Sequence, residues 1–290
     1  MIKNNKFIML GFLSILLWAS LATLGHLLYH LPPFYVLGAS FLIGSLPAFF
    51  KLKKAFGSAK IFLWGTLGYY FYHFFLFYSF RFAPAIEANL INYLWPMIMV
   101  ILTPVFFPQF KLKFYHFIGC FLSALGCAFL VMGKKVSFEW INLKGYLLAL
   151  GAAISWPLYS LVKKKMGTNS IWEVSGFCFG AGVLCFITHI NLEPRVVLQL
   201  NDAWLLLFLG LGPFGLAFFS WDLALSKGDS RIIGALSYLT PVLSTTGLIV
   251  FTGQFLTYST SVAMALIIGG ASTGLLDFIP SKVLNNSKKV

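Results

Sequence analysis

The segment ANLINYLWP at residues 88–96 places two asparagines, a tyrosine, a tryptophan and a proline inside an apolar stretch long enough to cross a bilayer. Hydrocarbon contains no water, so polar side chains and a helix-interrupting proline are tolerated there chiefly where they face protein or a water-filled path. This segment therefore predicts a membrane protein with a polar site in its interior.

The composition of the whole chain agrees with a membrane setting. Of its 290 residues, 59% are hydrophobic, 18% are aromatic and only 10% are charged, which is far from the balance of a soluble domain. The net charge of +13 comes largely from short Lys clusters between apolar runs, such as residues 51–54 and 163–165, and not from one basic face. These clusters indicate membrane topology and contact with anionic lipid, and they argue against nucleic-acid binding.

Ten apolar runs approach the ~20 residues that a membrane-spanning helix needs. They cover residues 7–29, 33–50, 61–81, 84–107, 113–133, 144–162, 171–190, 203–225, 230–252 and 256–276. The connections between them are too short for a soluble domain. The predicted fold is an all-α integral membrane protein with ten transmembrane helices.

The charges between these runs predict the orientation. With the N-terminus in the cytoplasm, sixteen Lys and Arg residues fall on the inner side, residues 163–165 among them, and five fall on the outer side. The outer set is Arg81, Lys134, Lys135, Lys144 and Arg195. Because positive charge is enriched on the cytoplasmic side, we expect a multi-pass protein of a bacterial inner membrane with both termini in the cytoplasm.

The sequence also repeats itself. YLWP at residues 93–96 in the fourth predicted helix has a partner in YLTP at residues 238–241 in the ninth, at an offset of 145 residues, and Trp18 in the first helix has a fainter partner in Trp156 in the sixth. Because the offset is five helices, an odd number, the second copy must enter the membrane from the opposite side, which predicts an inverted repeat. The predicted halves are residues 1–135 and 136–280, followed by a cytoplasmic tail at 281–290.

These features resemble a known family. Ten spans in two five-helix halves, with a Trp in the first helix and a proline in the fourth helix of each half, resemble the EamA-type branch of the drug/metabolite transporter superfamily. NYLWP at residues 92–96, together with Tyr72 and His73, is similar more narrowly to YddG-type exporters of aromatic amino acids. The resemblance implies a basket of helices around a central cavity, lined by the first, third, fourth, sixth, eighth and ninth helices, with the fifth and tenth at the periphery.

Polar and aromatic residues at mid-membrane depth form the predicted substrate site. With a rise of 1.5 Å per residue, Trp18, His73 and Trp156 each lie roughly 16–18 Å from the start of their helices, near the middle of a ~30 Å core. The predicted substrate-binding residues are Trp18, Tyr72, His73, Asn89, Asn92, Tyr93, Trp95, Trp156 and Tyr238. Pro96 and Pro241 are predicted to interrupt their helices, because proline removes a backbone hydrogen bond.

Such groups suit an amphiphilic ligand with a flat apolar body. Aromatic walls offer apolar area, edge-to-face stacking and attraction to an ammonium, while amides and hydroxyls fix polar ends. An aromatic amino acid has all these parts. For any single aromatic residue the alternative is a lipid-facing or interfacial position, since the chain holds 32 Phe, 12 Tyr and 8 Trp.

Proton coupling is not predicted. An unperturbed imidazole titrates near physiological pH, but burial at mid-membrane depth would disfavour the charged form of His73, and the sequence places no acidic residue at its depth. We expect Glu87 at a helix N-terminus, Asp222 beside Lys227 at the inner boundary, and Asp277 at the end of the tenth helix. The sequence therefore shows no carboxylate relay.

Other chemistry is nearly absent from the sequence. It contains no phosphate-binding loop, no H-E-x-x-H and no G-x-S-x-G, and its four cysteines lack metal-site spacing. We therefore expect no enzyme, no catalytic residues, no metal and no cofactor. The predicted function is a secondary transporter that exports amino acids, aromatic ones first, by alternating access, with a small-molecule substrate and membrane lipid as its partners.

Two alternatives stay open at this point. One is a drug/metabolite transporter for other small amphiphilic or cationic solutes, and the other is an intramembrane enzyme or a structural membrane protein. The oligomeric state is open as well, and a monomer is compatible with the sequence.

The charge bias predicts that residues near Lys53 and Lys135 lie on opposite sides of the membrane. Single cysteines placed at these two positions in a cysteine-free background should react with an impermeant maleimide from opposite sides of intact cells and inverted vesicles. If both positions react from outside, the ten-span topology and the inverted repeat are wrong together.

Overall fold

The computed structural model describes residues 2–131, 139–167, 171–252, 258–273 and 276. Within these residues the chain is helical, and ten helical stretches, α1 to α10, occupy the positions of the ten predicted spans. The predicted boundary between the halves, the predicted tail, Lys134, Lys135 and Asp277 lie outside the described residues. The described part is all-α, as the composition predicts.

The first five stretches alternate with short turns. They are α1 (Ile2–Ala19 and Leu21–Leu27), α2 (Pro33–Gly44), α3 (Ala59–Ser79), α4 (Ala85–Asn92 and Trp95–Phe106) and α5 (Phe114–Val131). A 3₁₀ turn at Leu46–Phe50 and a short helix at Leu52–Ala55 connect α2 to α3.

The second five stretches also alternate with short turns, and the fourth of them is broken, as in the first five. They are α6 (Leu143–Met166), α7 (Ile171–Leu192), α8 (Leu200–Leu211 and Ala217–Lys227, joined by a π-helical turn at Gly212–Leu216), α9 (Ser230–Leu236 and Leu239–Thr252) and α10 (Tyr258–Thr273). Another 3₁₀ turn, Trp140–Asn142, precedes α6.

Seven helices in the described residues are long and apolar enough to cross a membrane. They are Lys6–Leu27, Pro33–Phe50, Glu87–Phe106, Trp140–Met166, Trp172–Leu192, Leu200–Lys227 and Ser230–Phe251. Two shorter apolar helices, Phe114–Phe129 and Ser261–Thr273, belong to α5 and α10. The 21-residue α3 is long enough to span but is rich in tyrosine and carries a histidine, which lowers its hydropathy. The chain is a multi-pass membrane protein.

Both α4 and α9 are interrupted just before a proline. Residues 93–94 separate the two segments of α4 and precede Pro96, while residues 237–238 separate the segments of α9 and precede Pro241. Proline lacks an N–H and its ring clashes with the carbonyl four residues earlier, so a break on its N-terminal side is its expected effect. The predicted interruptions are therefore present at equivalent places in the two parts of the chain. Pro157, in contrast, lies inside the continuous helix α6.

Helices α5 and α10 form a tight pair that packs mainly against itself. The Ser123 hydroxyl on α5 donates a hydrogen bond of 3.2 Å to the Ile267 carbonyl on α10. A Cβ added to Gly270 would lie 2.5 Å from the Gly119 carbonyl oxygen, so the two backbones approach as only glycine permits. A Cβ at the neighbouring Gly269 would meet nothing within 4 Å.

These two adjacent glycines provide a matched test of the packing. Gly270→Ala should lower the midpoint of thermal unfolding in detergent, because overpacking against backbone costs about 1–3 kcal/mol. Gly269→Ala should leave the midpoint unchanged or raise it slightly, because alanine favours helix over glycine by roughly 1 kcal/mol. Equal effects of the two substitutions would contradict the close approach of α5 and α10.

Candidate functional site

A cavity of about 470 Å³ lies in the middle of the helices. Its described lining residues come from α1, α2, α3, α4, α6, α8 and α9, and none of them comes from α5, α7 or α10. Its volume falls within the range of small-molecule sites. All six helices that the resemblance implies line the cavity, and α2 lines it as well.

The cavity reaches one end of the helices and not the other. Its rim holds Tyr29 and Pro33, both exposed, with Phe80 from the end of α3 and Asn89 from the start of α4. We call this end the open face. The opposite end, where α3 begins and α6 and α8 end, contributes no described lining residue, and we call it the closed face.

Aromatic rings close the floor of the cavity. The ring of Trp18 lies edge-on to Trp156 at 5.7 Å and approaches Trp221 at 5.1 Å, and Phe218 lies 5.5 Å from Trp156. The indole N–H of Trp18 donates a hydrogen bond of 3.2 Å to the carbonyl of Pro213 in the π-helical turn of α8. With its polar atom satisfied, Trp18 presents ring surface to a ligand.

The break in α4 places an amide on the cavity wall. Asn92 is only 4% exposed, and its Nδ2 donates a weak hydrogen bond of 3.4 Å to the Tyr72 hydroxyl. Its Oδ1 is buried and has no hydrogen-bond partner among the described residues. A buried acceptor without a partner is costly, so this oxygen is suited to accept a hydrogen bond from a ligand.

The break in α9 supplies hydroxyls to the same cavity. Ser237, Thr240 and Ser244 line it, and the buried Oγ1 of Thr240 has no hydrogen-bond partner in the described part of the chain. Sequence reasoning missed these residues, although their spacing of three and four is that of one helix face. Among the described lining residues, Asn92 and Thr240, one beside each helix break, thus hold buried polar atoms without a hydrogen-bond partner.

His73 lies on the cavity wall beside Tyr72. Its Nδ1 is 2.7 Å from the carbonyl oxygen of Tyr69 one turn earlier, and because a carbonyl can only accept, this nitrogen carries the proton. The ring also stands edge-on to Phe41 at 5.0 Å. These contacts fix the orientation of the imidazole.

The cavity brings together eight of the nine residues predicted to bind substrate. They are Trp18, Tyr72, His73, Asn89, Asn92, Tyr93, Trp95 and Trp156. The ninth, Tyr238, does not line it. Its ring packs with Cys127 of α5 and Ile267 of α10, because the break in α9 turns this position away from the cavity while Ser237 faces it.

No Asp, Glu, Lys or Arg is among the described lining residues. No group of three or more His, Cys, Asp or Glu residues that could hold a metal occurs in the described residues. The cavity therefore offers rings, two amides, hydroxyls and one imidazole, which bind a neutral or zwitterionic ligand more readily than a phosphate.

The expected pairing of Asp222 with Lys227 is wrong, and Lys163 is more buried than the sequence suggests. Lys163 was expected at the membrane boundary, yet it is 1% exposed, and its Nζ lies 3.3 Å from Oδ2 of Asp222 and 3.2 Å from Oε2 of Glu173. The reason is that α6 continues to Met166, so Lys163 stays inside the bundle and faces α7 and α8. Asp222 thus pairs with Lys163 instead of the expected Lys227.

Comparison with known proteins gives a consistent result. The model of the EamA-like transporter family matches this chain twice, at residues 5–132 and 143–273. The two matches support duplicated halves. A solved crystal structure superposes on this chain with a TM-score of 0.89 and 31% sequence identity. The superposition covers 94% of this chain and 97% of the chain in the crystal structure.

Among curated proteins, the aromatic amino acid exporter YddG of Ancylobacter novellus is 33% identical over 92% of this chain and 96% of its own length. The threonine/homoserine exporter RhtA of Salmonella typhimurium is 30% identical, over 53% of this chain and 52% of its own length. Both relatives export amino acids.

Proposed function

This chain belongs to the EamA-like transporter family, a family of transporters and not of enzymes, and we propose that it exports amino acids, with phenylalanine, tyrosine and tryptophan as its main substrates. The observation that carries the proposal is the cavity, which combines an aromatic floor with two unpartnered polar atoms, Asn92 Oδ1 and Thr240 Oγ1. The aromatic exporter that is 33% identical supports this substrate class.

The two parts of the cavity match the two parts of such a substrate. The rings of Trp18, Trp156 and Phe218 provide apolar and edge-to-face contacts for an aromatic side chain. Asn92 Oδ1 accepts from the ammonium, and the hydroxyls on α9 donate to the carboxylate. The predicted substrate-binding residues other than Tyr238 keep this role in the proposal.

A broader set of amino acids is the second candidate. The threonine/homoserine exporter aligned over half of the chain supports it. A cationic drug is a weaker candidate, because no described lining residue carries the carboxylate that would offset its charge.

The proposed transport cycle is alternating access between two inverted halves, with ten membrane crossings and both termini in the cytoplasm. On this orientation α1 and α3 run outward, so the open face lies on the periplasmic side and the closed face is cytoplasmic. The cavity then stands ready to release substrate outward. For an exporter, the closed face is the side from which substrate arrives.

Transport by the purified protein in liposomes, loaded with a panel of radiolabelled amino acids and assayed with and without a pH gradient, tests the proposal. Parent protein should release the aromatic amino acids. Trp18→Ala and Trp156→Ala should each weaken the binding of aromatic amino acids by about 1–3 kcal/mol, the scale of a lost aromatic contact. Trp140→Ala is the control, because Trp140 is 87% exposed and does not line the cavity. Release of no amino acid by the parent contradicts the proposal.

Asn92→Leu should reduce transport of phenylalanine and tryptophan alike, about tenfold or more, because it keeps the volume and removes a buried polar contact. Transport is measured per folded protein, alongside the thermal shift that phenylalanine produces. Asn191→Leu, at an exposed position on α7, is the matched control. A mutant that transports normally and is stabilised by phenylalanine as the parent is would remove Asn92 from the site.

A further inference from the structure

We propose that Lys163, Glu173 and Asp222 form a second binding site, which receives the ammonium and carboxylate groups of a zwitterionic amino acid at the closed face before it reaches the cavity. We call these three residues the closed-face cluster. The proposal rests on the proposed function, which takes the closed face as cytoplasmic and the substrate as an amino acid.

The closed-face cluster joins three helices. The Lys163 Nζ on α6 lies 3.2 Å from Oε2 of Glu173 on α7 and donates a hydrogen bond of 3.3 Å to Oδ2 of Asp222 on α8. The Tyr159 hydroxyl, one turn before Lys163, donates to the other Asp222 oxygen at 3.4 Å. The cluster therefore sits where α6, α7 and α8 meet.

The charges of the closed-face cluster do not balance. One ammonium faces two carboxylates, and the buried Oε2 of Glu173 accepts no hydrogen bond within the described residues although it is near Lys163. The adjacent Lys164 does not supply the missing cation, because its Nζ turns away to the Gly228 carbonyl at 2.6 Å and the Ser230 hydroxyl at 2.9 Å. The second carboxylate gives the ammonium of a zwitterion a further partner beside Asp222, while Lys163 remains for its carboxylate.

The closed-face cluster lies on the same helix faces as the cavity. Trp156, which lines the cavity, precedes Lys163 by seven residues, two helical turns or about 10 Å along α6. Phe218, which also lines it, precedes Asp222 by one turn. A solute that entered between α6 and α8 from the closed face would meet the cluster first and the cavity second.

Aromatic rings surround the cluster as they surround the cavity. The ring of Tyr159 lies 5.1 Å from Tyr69 and 5.4 Å from Trp156, which continues the aromatic surface from the cavity floor. The Lys163 ammonium lies 5.7 Å from the ring centre of Phe177. The cluster and its rings therefore offer a partner for each part of an aromatic zwitterion. The rings suit its side chain, the ammonium of Lys163 suits its carboxylate, and the two carboxylates suit its ammonium.

A zwitterion can replace the internal ion pair one charge for one. Its carboxylate would take the place of Asp222 at Lys163, and its ammonium would take the place of Lys163 at Asp222 and Glu173. Breaking a buried pair without such a replacement leaves charges uncompensated. Substrate at the closed face would therefore favour separation of α6 from α8, as a ligand shifts a population toward the state it binds better.

Glu173→Gln is the sharpest test, because it removes the excess carboxylate and leaves Lys163 and Asp222 as a balanced pair. In proteoliposomes of known orientation, with substrate supplied at the closed face, the KM for phenylalanine should rise at least tenfold. The thermal shift that phenylalanine produces at the cavity should stay as in the parent. Glu87→Gln is the control, since Glu87 is also buried but lies near the open face, bonded to Tyr146.

Two analogues identify the groups that are recognised. In the parent, 2-phenylethylamine, which lacks the carboxylate, and 3-phenylpropionate, which lacks the ammonium, should inhibit from the closed face much less than phenylalanine does. The triple variant Lys163→Met, Glu173→Gln, Asp222→Asn, which leaves no charge unpaired, should lose this discrimination.

Three results would overturn the inference: an unchanged KM in Glu173→Gln, unchanged discrimination in the triple variant, or a change only in the pH dependence of export. The last would make the cluster a proton site. A parent protein that transports no amino acid refutes the proposed function instead, so the two failures are distinguishable.

Discussion

The bilayer interior offers no hydrogen bonds to the backbone, and the rest of the structure depends on this constraint. It makes the described chain helical and confines irregular backbone to places where protein or a cavity can satisfy it. The breaks in α4 and α9 follow this rule, since Asn92 and Thr240 beside them line the cavity. Two prolines therefore account for the interruptions beside which these two polar residues lie.

The cost of charge in hydrocarbon also disfavours charged side chains in the cavity wall. Its described wall carries rings, hydroxyls, two amides and an imidazole, whereas the buried ion pairs of Lys163 lie toward the closed face. A wall without charge holds an amphiphile by many modest contacts and releases it readily. A family whose named relatives export amino acids needs release as much as binding.

Hydropathy and depth along a helix follow from the order of residues along the chain. Features of the fold that depend on them could therefore be predicted from the sequence. The ten helical stretches and the cavity positions of Trp18, His73 and Trp156 belong to this group. Tyr238 was misplaced because a helix break changes which face a residue occupies. The pairing of Asp222 with Lys163 was missed because the two residues are 59 positions apart, and a pairing across helices leaves no pattern in the sequence.

The glycine contact between α5 and α10 has a consequence for evolution. A Cβ at Gly119 would lie 2.6 Å from the Gly270 carbonyl oxygen, and one at Gly270 would lie 2.5 Å from the Gly119 carbonyl oxygen, so the movement of a side chain alone cannot make room for a larger residue. These positions never meet the substrate, yet they should accept fewer substitutions than many residues of the cavity wall. Substrate range can then diversify through the wall while these two glycine positions stay fixed.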